Sequence, residues 1–173
     1  MITICWSAKG GSGTTVVATS LGLLTTRSLL VDLAGDIATA LGLDVGDRPG
    51  VLDWLGSDAP AEHLRDLTVE VDSDTLLLPQ RSPRERSGPS TRWDELGAWL
   101  QSWGRDLDGM VVVDAGATPP PAGLLRHADR DLLVIRSCYL SLAAVRALGH
   151  RPSGVILMRE PGRALRARDV SSA

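Results

Sequence analysis

Short apolar runs, separated by polar stretches of helical period, set the pattern of this chain. Ile2–Ser7, Ser28–Leu33, Thr75–Leu78, Met110–Asp114, Leu132–Ile135 and Gly154–Met158 are nearly continuous in apolar residues, which predicts parallel strands covered on both faces. Thr68–Val71 alternates instead, and Asp72-Ser73-Asp74 predicts a turn that pairs it with the next run as a hairpin. Helices are expected at Thr15–Thr25, Arg92–Leu107, Pro120–His127 and Ser141–Leu148. The second carries Trp93, Leu96, Leu100, Trp103 and Leu107 at spacings of 3, 4, 3 and 4, the stripe of a helix that packs on a core. Strands alternating with helices predict a doubly wound, mostly parallel α/β sheet with right-handed crossovers.

One segment interrupts this rhythm. Pro79 to Arg92 holds three Pro, four Arg and a single acid, Glu85, and is expected to be a mobile basic loop. If the strand before it is parallel to the rest, the loop leaves from the carboxyl edge, where open α/β sheets bind ligands. Thr118 to Pro121 and Arg136-Ser137-Cys138 open on the same edge. Arg136 there is read as an ordinary surface arginine, Trp6 as core and Cys138 as structural.

A length of 173 residues suits one domain, 1–173. No run approaches the roughly 18 apolar residues of a membrane span, and Met1 to Gly10 lacks the basic-then-apolar order of a signal peptide. A soluble, cytoplasmic protein is therefore expected. Cys5 and Cys138 lie too far apart for a metal-ligand spacing, and His63, His127 and His150 suggest neither a metal site nor a catalytic dyad.

Charge sharpens the picture. Residues 1–80 carry four cations and eleven acids, while residues 81–173 carry fourteen and ten, which gives the total of −3. Of the eighteen basic residues seventeen are Arg, and Lys9 is the only lysine. A compact ammonium kept inside a glycine-rich loop points to work that a broad guanidinium cannot do. That loop, Ala8-Lys9-Gly10-Gly11-Ser12-Gly13-Thr14-Thr15, joins a predicted strand to a predicted helix. Glycines there let successive N–H groups converge on phosphate oxygens, and the helix N-terminus adds partial positive charge.

An early lysine followed by two glycines resembles the deviant P-loop of the ParA/MinD family of ATPases, with the pattern KGGxGK[ST]. Lys9, Gly10, Gly11, Gly13 and Thr15 match it; Thr14 stands where the second Lys belongs. Leu29-Leu30-Val31-Asp32-Leu33 is similar to the family's Asp-ended second strand, and MVVVDAG at 110–116 to its Walker B strand. The resemblance implies a P-loop NTPase fold of the SIMIBI, ParA/MinD type that binds ATP or ADP and Mg2+ through Lys9, Gly10, Gly11, Ser12, Gly13, Thr14 and Thr15. It implies magnesium support from Thr15, Asp32 and Asp114, and a homodimer across the nucleotide in which Lys9 reaches the phosphates.

The departures are specific. The family's second Asp, which orients the attacking water, aligns with Ala34, leaving Asp36 as the nearby substitute. Met158-Arg159-Glu160 stand where an Asn often meets adenine, and the chain ends at Ala173, before the family's last strand and helix. Loss of one charge-assisted contact at Thr14 is expected to weaken phosphate binding by about 10–150-fold. Hydrolysis should suffer more, because phosphoryl transfer depends on positioned charge. The resemblance thus implies a slow or inactive ATPase acting in intracellular positioning, partitioning or assembly with a protein partner. A pseudo-ATPase adaptor of the CpaE/TadZ type, for pilus assembly or septum placement, is the alternative; a ligase of the dethiobiotin-synthetase kind normally keeps the missing Lys. Arg151, Arg159, Arg163, Arg166 and Arg168 make the C-terminal part a candidate for non-specific DNA binding.

Overall fold

The computed structural model describes residues 1–81, 92–146, 149–160, 162 and 169. Among them, seven strands form one sheet: β1 (Ile2–Trp6), β2 (Ser28–Asp32), β3 (Val69–Glu70), β4 (Thr75–Leu78), β5 (Met110–Asp114), β6 (Arg130–Arg136) and β7 (Gly154–Met158). Their order is β3-β4-β2-β5-β1-β6-β7. Every neighbouring pair is parallel except β3 with β4. The expected hairpin is there but short, with Val69 and Glu70 opposite Leu77 and Leu76. From β1 the chain passes through helix α1 (Thr14–Leu23) to β2 on one side of the sheet, and β6 and β7 lie on the other side. The carboxyl end of β1, between β5 and β6, is therefore the switch point at which a doubly wound sheet opens a crevice.

Both faces of the sheet are covered, as continuous apolar strands require. On one face Ile2, Ile4, Trp6, Leu29, Val31, Val111, Val113 and Leu133 pack with Leu96, Leu100 and Trp103 of α4 (Trp93–Asp106). On the other, Cys5, Leu30, Leu77, Val112 and Val134 pack with Ala18 of α1 and with Ile37. Trp6 is fully buried and belongs to the core, as expected. Two further helices, α5 (Ala122–Leu125) and α6 (Tyr139–Arg146), follow α4. The structure also has elements that periodicity does not predict: α2 (Ile37–Leu41), α3 (Val51–Leu55) and a 3-10 segment at Ala61–Leu67.

The middle of the expected basic loop, residues 82–91, lies outside the described residues, but its ends are anchored. It leaves from the carboxyl edge, since β4 runs parallel to β2. Gln80 Nε2 donates to the Leu33 carbonyl at 2.7 Å, and Arg81 pairs with Asp47 at 2.6 Å. Arg92 stacks over the Trp54 ring at 3.6 Å, donates to the carbonyls of Trp54, Ser57 and Ala59, and pairs with Glu95.

Gly50 brings two carboxyl-edge segments together. Val51 N and Leu52 N donate to the carbonyls of Pro79 and Gln80 at 2.8 and 3.0 Å. A Cβ on Gly50 would stand 2.3 Å from the Pro79 oxygen and 2.7 Å from the Gln80 carbonyl carbon. Its φ of −130° suits any residue, so the glycine is needed for the close approach alone. Gly50→Ala is expected to cost about 1–3 kcal/mol by overpacking, read as a lower urea midpoint; an unchanged midpoint would show that the 79–81 segment yields freely.

Candidate functional site

The loop between β1 and α1 is held by hydroxyls and one distant carbonyl. The Lys9 carbonyl accepts from Ser7 Oγ at 3.0 Å and from Ser12 Oγ at 2.7 Å. Ser7 N donates to the Gly116 carbonyl at 2.8 Å, which ties the loop to the end of β5. Gly13 caps α1 at φ 92° and ψ 20°, and Gly11 also has a positive φ of 74°. Both angles lie in the region that a Cβ disfavours. No side chain caps the helix and no acid lies in its first turn, so its first N–H groups, which no helix satisfies internally, remain for an anion. A Cβ at Gly10 or Gly11 would meet nothing within 4 Å. Lys9 is exposed, Thr14 buried and Thr15 half-buried. The strand, loop and helix predicted to cradle phosphate are thus in place.

Beside this loop stand two buried carboxylates. Asp32 and Asp114 are in register at the carboxyl ends of β2 and β5. Asp32 spends both oxygens on backbone: Oδ1 accepts from Ala34 N at 3.0 Å and Gly35 N at 2.6 Å, and Oδ2 from Ile37 N at 3.0 Å. It therefore builds the turn into α2, and only its remaining lone pairs could serve a metal. Asp114 differs. Its Oδ1 accepts from Gly116 N at 3.0 Å, whereas Oδ2 is buried with no hydrogen-bond partner of good geometry. Burial pushes the Asp114 carboxyl up; the Thr15 hydroxyl and the Gly116 amide pull it back, and the charge of Asp36 raises it further. Burial likewise raises Asp32, against the N–H groups of Gly35, Ile37 and Ala34, with Asp114 adding to the rise.

Asp36 is exposed at the start of α2 and caps nothing with its side chain. Ala34 faces Gly116, 3.1 Å from where a Cβ would stand, so no carboxylate occupies that place. An unsatisfied buried carboxylate oxygen, a hydroxyl and a second acid nearby are hard oxygen donors whose charge lacks compensation, a set that fits Mg2+. Burial and the Asp114 charge push the Cys5 thiol up to about 12, so it is inert.

On the opposite flank, at the ends of β6 and β7, Met158 lies over Gly13: its Cε is 3.3 Å from the Cβ position of that glycine. Arg136 Nε pairs with Glu160 Oε1 at 3.0 Å and joins the two strand ends. Cys138 Sγ meets Ser141 Oγ at 3.0 Å. Two of the histidines are engaged by acids: His127 pairs with Asp94, and His150 Nε2 lies 2.5 Å from Asp131 Oδ2. No cluster of His, Cys, Asp and Glu able to hold a metal by itself occurs among the described residues. No described helix is long and apolar enough to cross a membrane. Arg151 and Arg159 are exposed, while Arg163, Arg166 and Arg168 lie outside the described residues. The Ser7–Gly116 tie and the Met158 contact were not foreseen, because neither has a signal in local sequence.

This crevice, with a glycine loop on one strand and paired acids on its neighbours, belongs to a P-loop fold. No family model matches the sequence, and no curated protein matches it. Solved structures do. The septum site-determining protein MinD of Pyrococcus horikoshii OT3, complexed with Mg-ADP, is 21% identical with a TM-score of 0.72 over 99% of this chain and 75% of its own. A ParA family ATPase from Chlorobium tepidum TLS is 17% identical with a TM-score of 0.67, over 92% and 73%. The kinase domain of the Escherichia coli tyrosine kinase ETK is 20% identical with a TM-score of 0.70, over 96% and 70%. The fold is that of the ParA/MinD type of P-loop proteins. Because a kinase domain shares it, fold alone does not assign the chemistry.

Proposed function

We propose that this chain binds ATP or ADP with Mg2+ in the loop from Lys9 to Thr15, dimerises across the nucleotide, and serves intracellular positioning or partitioning with little or no hydrolysis. The observation that carries this reading is the uncapped N-terminus of α1 behind a left-handed Gly13, set beside a buried Asp114 oxygen without a well-formed hydrogen bond. The N–H groups of Gly10 to Thr15 would hold the phosphates. Thr15 and Asp114 would hold Mg2+ and its waters, with Asp32 in support, and the ion would neutralise phosphate charge. Asp36 is the acid nearest the vacant role of Ala34. MinD bound to Mg-ADP has the same fold at low identity, which agrees with this assignment.

Two charges that phosphoryl transfer would use are replaced, at Thr14 and Ala34. That pair of replacements favours, as the second reading, an adaptor in which the fold acts as a localising scaffold of the CpaE/TadZ type. Calorimetry with ATP, ADP and Mg2+, combined with sedimentation of the free and loaded protein, separates the two. Nucleotide-driven dimers support the first reading, and a constant mass supports the scaffold.

Lys9→Ala tests the lysine itself. Its side chain is exposed, and only its carbonyl holds the loop, so the free protein should melt unchanged. Nucleotide affinity, or the nucleotide-driven dimerisation constant, should fall by about 10–150-fold, the worth of one charge-assisted contact. Equal titrations of variant and parent would remove the role given to Lys9.

A further inference from the structure

We propose that Tyr139, which opens α6 just beyond the end of β6, is the platform for the base of the bound nucleotide, and that this platform takes purines by stacking without telling adenine from guanine. The proposal rests on the nucleotide reading above.

The direction of the ligand follows from the sheet. The acids suited to Mg2+ stand on β2 and β5, to one side of β1, and the loop follows β1 itself. A nucleotide whose phosphates lie over the start of α1 and whose metal end faces Asp114 has its sugar and base left over β6 and β7. β6 is level with β1 at Trp6 and Leu133 and runs three residues further, to Arg136. At strand rise this adds about 10 Å along the carboxyl edge. After Ser137 and Cys138, α6 begins at Tyr139.

Tyr139 is the only tyrosine in the chain, and it is 70% exposed. Its ring is thus free to offer a face on the ligand edge, where bases stack well on aromatic rings. At the ends of β6 and β7, the Arg136–Glu160 pair holds a donor and an acceptor together. Either purine edge finds a complement there. Met158, which covers Gly13, brings a polarisable thioether and no strong hydrogen-bonding group, so nothing at that point selects one base. With Thr14 in place of a phosphate-binding lysine, the base contact carries a larger share of the affinity.

The test titrates the parent, Tyr139→Ala and Tyr139→Phe with ATP, GTP and inorganic tripolyphosphate, each with Mg2+, by calorimetry. The parent should bind ATP and GTP within about threefold of each other, as sequence-tolerant stacking requires. Tyr139→Ala should lose roughly 5- to 150-fold for both nucleotides, the loss typical of a stacked base, and leave tripolyphosphate unchanged. Tyr139→Phe should behave as the parent. An alanine variant that binds ATP like the parent overturns the platform, as does one that loses tripolyphosphate equally. So does a parent that prefers one purine by more than about tenfold, beyond what stacking alone gives. A parent that binds neither tripolyphosphate nor ATP sinks the nucleotide reading itself, and the platform with it.

Discussion

Asp114→Asn is expected to weaken Mg2+-dependent ATP binding by about 10–100-fold, the usual cost of losing a carboxylate that supports a bound metal. The same change should raise the melting temperature of the nucleotide-free protein at pH 7. Both effects come from one oxygen. Asp114 Oδ1 is satisfied by Gly116 N, and an asparagine carbonyl can keep that bond. Oδ2 is buried without a well-formed hydrogen bond; an amide there could donate to Thr15 and would carry no charge.

The pH dependence has a defined sign. Burial holds the folded pKa of Asp114 above its ordinary 3.8, so the native state keeps a proton that the unfolded chain gives up. Stability from this group is full below the unfolded value and is lost as pH rises through the folded one. Above that window the free protein carries the cost of an ionised, buried carboxylate. Asp114→Asn should flatten this fall, and Mg2+ with ATP should stabilise the parent far more than the variant. Thermal melts at pH 4 to 8, with and without Mg-ATP, measure both effects. A variant less stable than the parent at pH 7, with its magnesium response intact, would place the metal elsewhere.

The fold was legible where one face of an element repeats. Six apolar runs became strands, the inner ones because burial on both sides leaves no polar positions to break them, as in Leu29-Leu30-Val31 and Val111-Val112-Val113. The α4 stripe shows likewise: Leu96, Leu100 and Trp103 are buried, with Trp93 and Leu107 packed at the margin. What escaped is short and held from outside. The turn into α2 depends on the Asp32 carboxylate five residues before Ile37, and α3 on the backbone of Pro79 and Gln80. Five residues are too few to display a helical period or to nucleate a stable helix alone.

The site divides along the same line. Lys9 to Thr15 could be read as a loop because phosphate geometry demands glycines in sequence. The 109-residue reach from Ser7 to Gly116 leaves no local trace. Asp32 could be recognised as a strand-ending acid, yet only the folded structure reveals that three backbone N–H groups already occupy it. That shifts most of the proposed magnesium role onto Asp114 and Thr15.

Thr14→Lys is expected to tighten ATP binding by about 10–150-fold, through one restored charge-assisted contact, while turnover remains very slow. The loop should not need rebuilding. Its shape rests on the left-handed Gly11 and Gly13 and on the hydroxyls of Ser7 and Ser12, none of which involves residue 14. A new ammonium would therefore meet phosphate oxygens already held by the start of α1. Hydrolysis asks for more, because a water must be oriented as charge develops. Ala34 packs toward Gly116 and offers no carboxylate, while Asp36 is exposed at the head of α2. In both parent and variant, any residual activity should rise with protein concentration, because Lys9 can add charge to a second site only when two copies meet. Binding is measured by calorimetry, and turnover by phosphate release across a dilution series. If Thr14→Lys binds ATP no better than the parent, the N–H groups of this loop are not aimed at phosphate. Fast turnover by dilute monomer would instead assign the water-orienting role to Asp36.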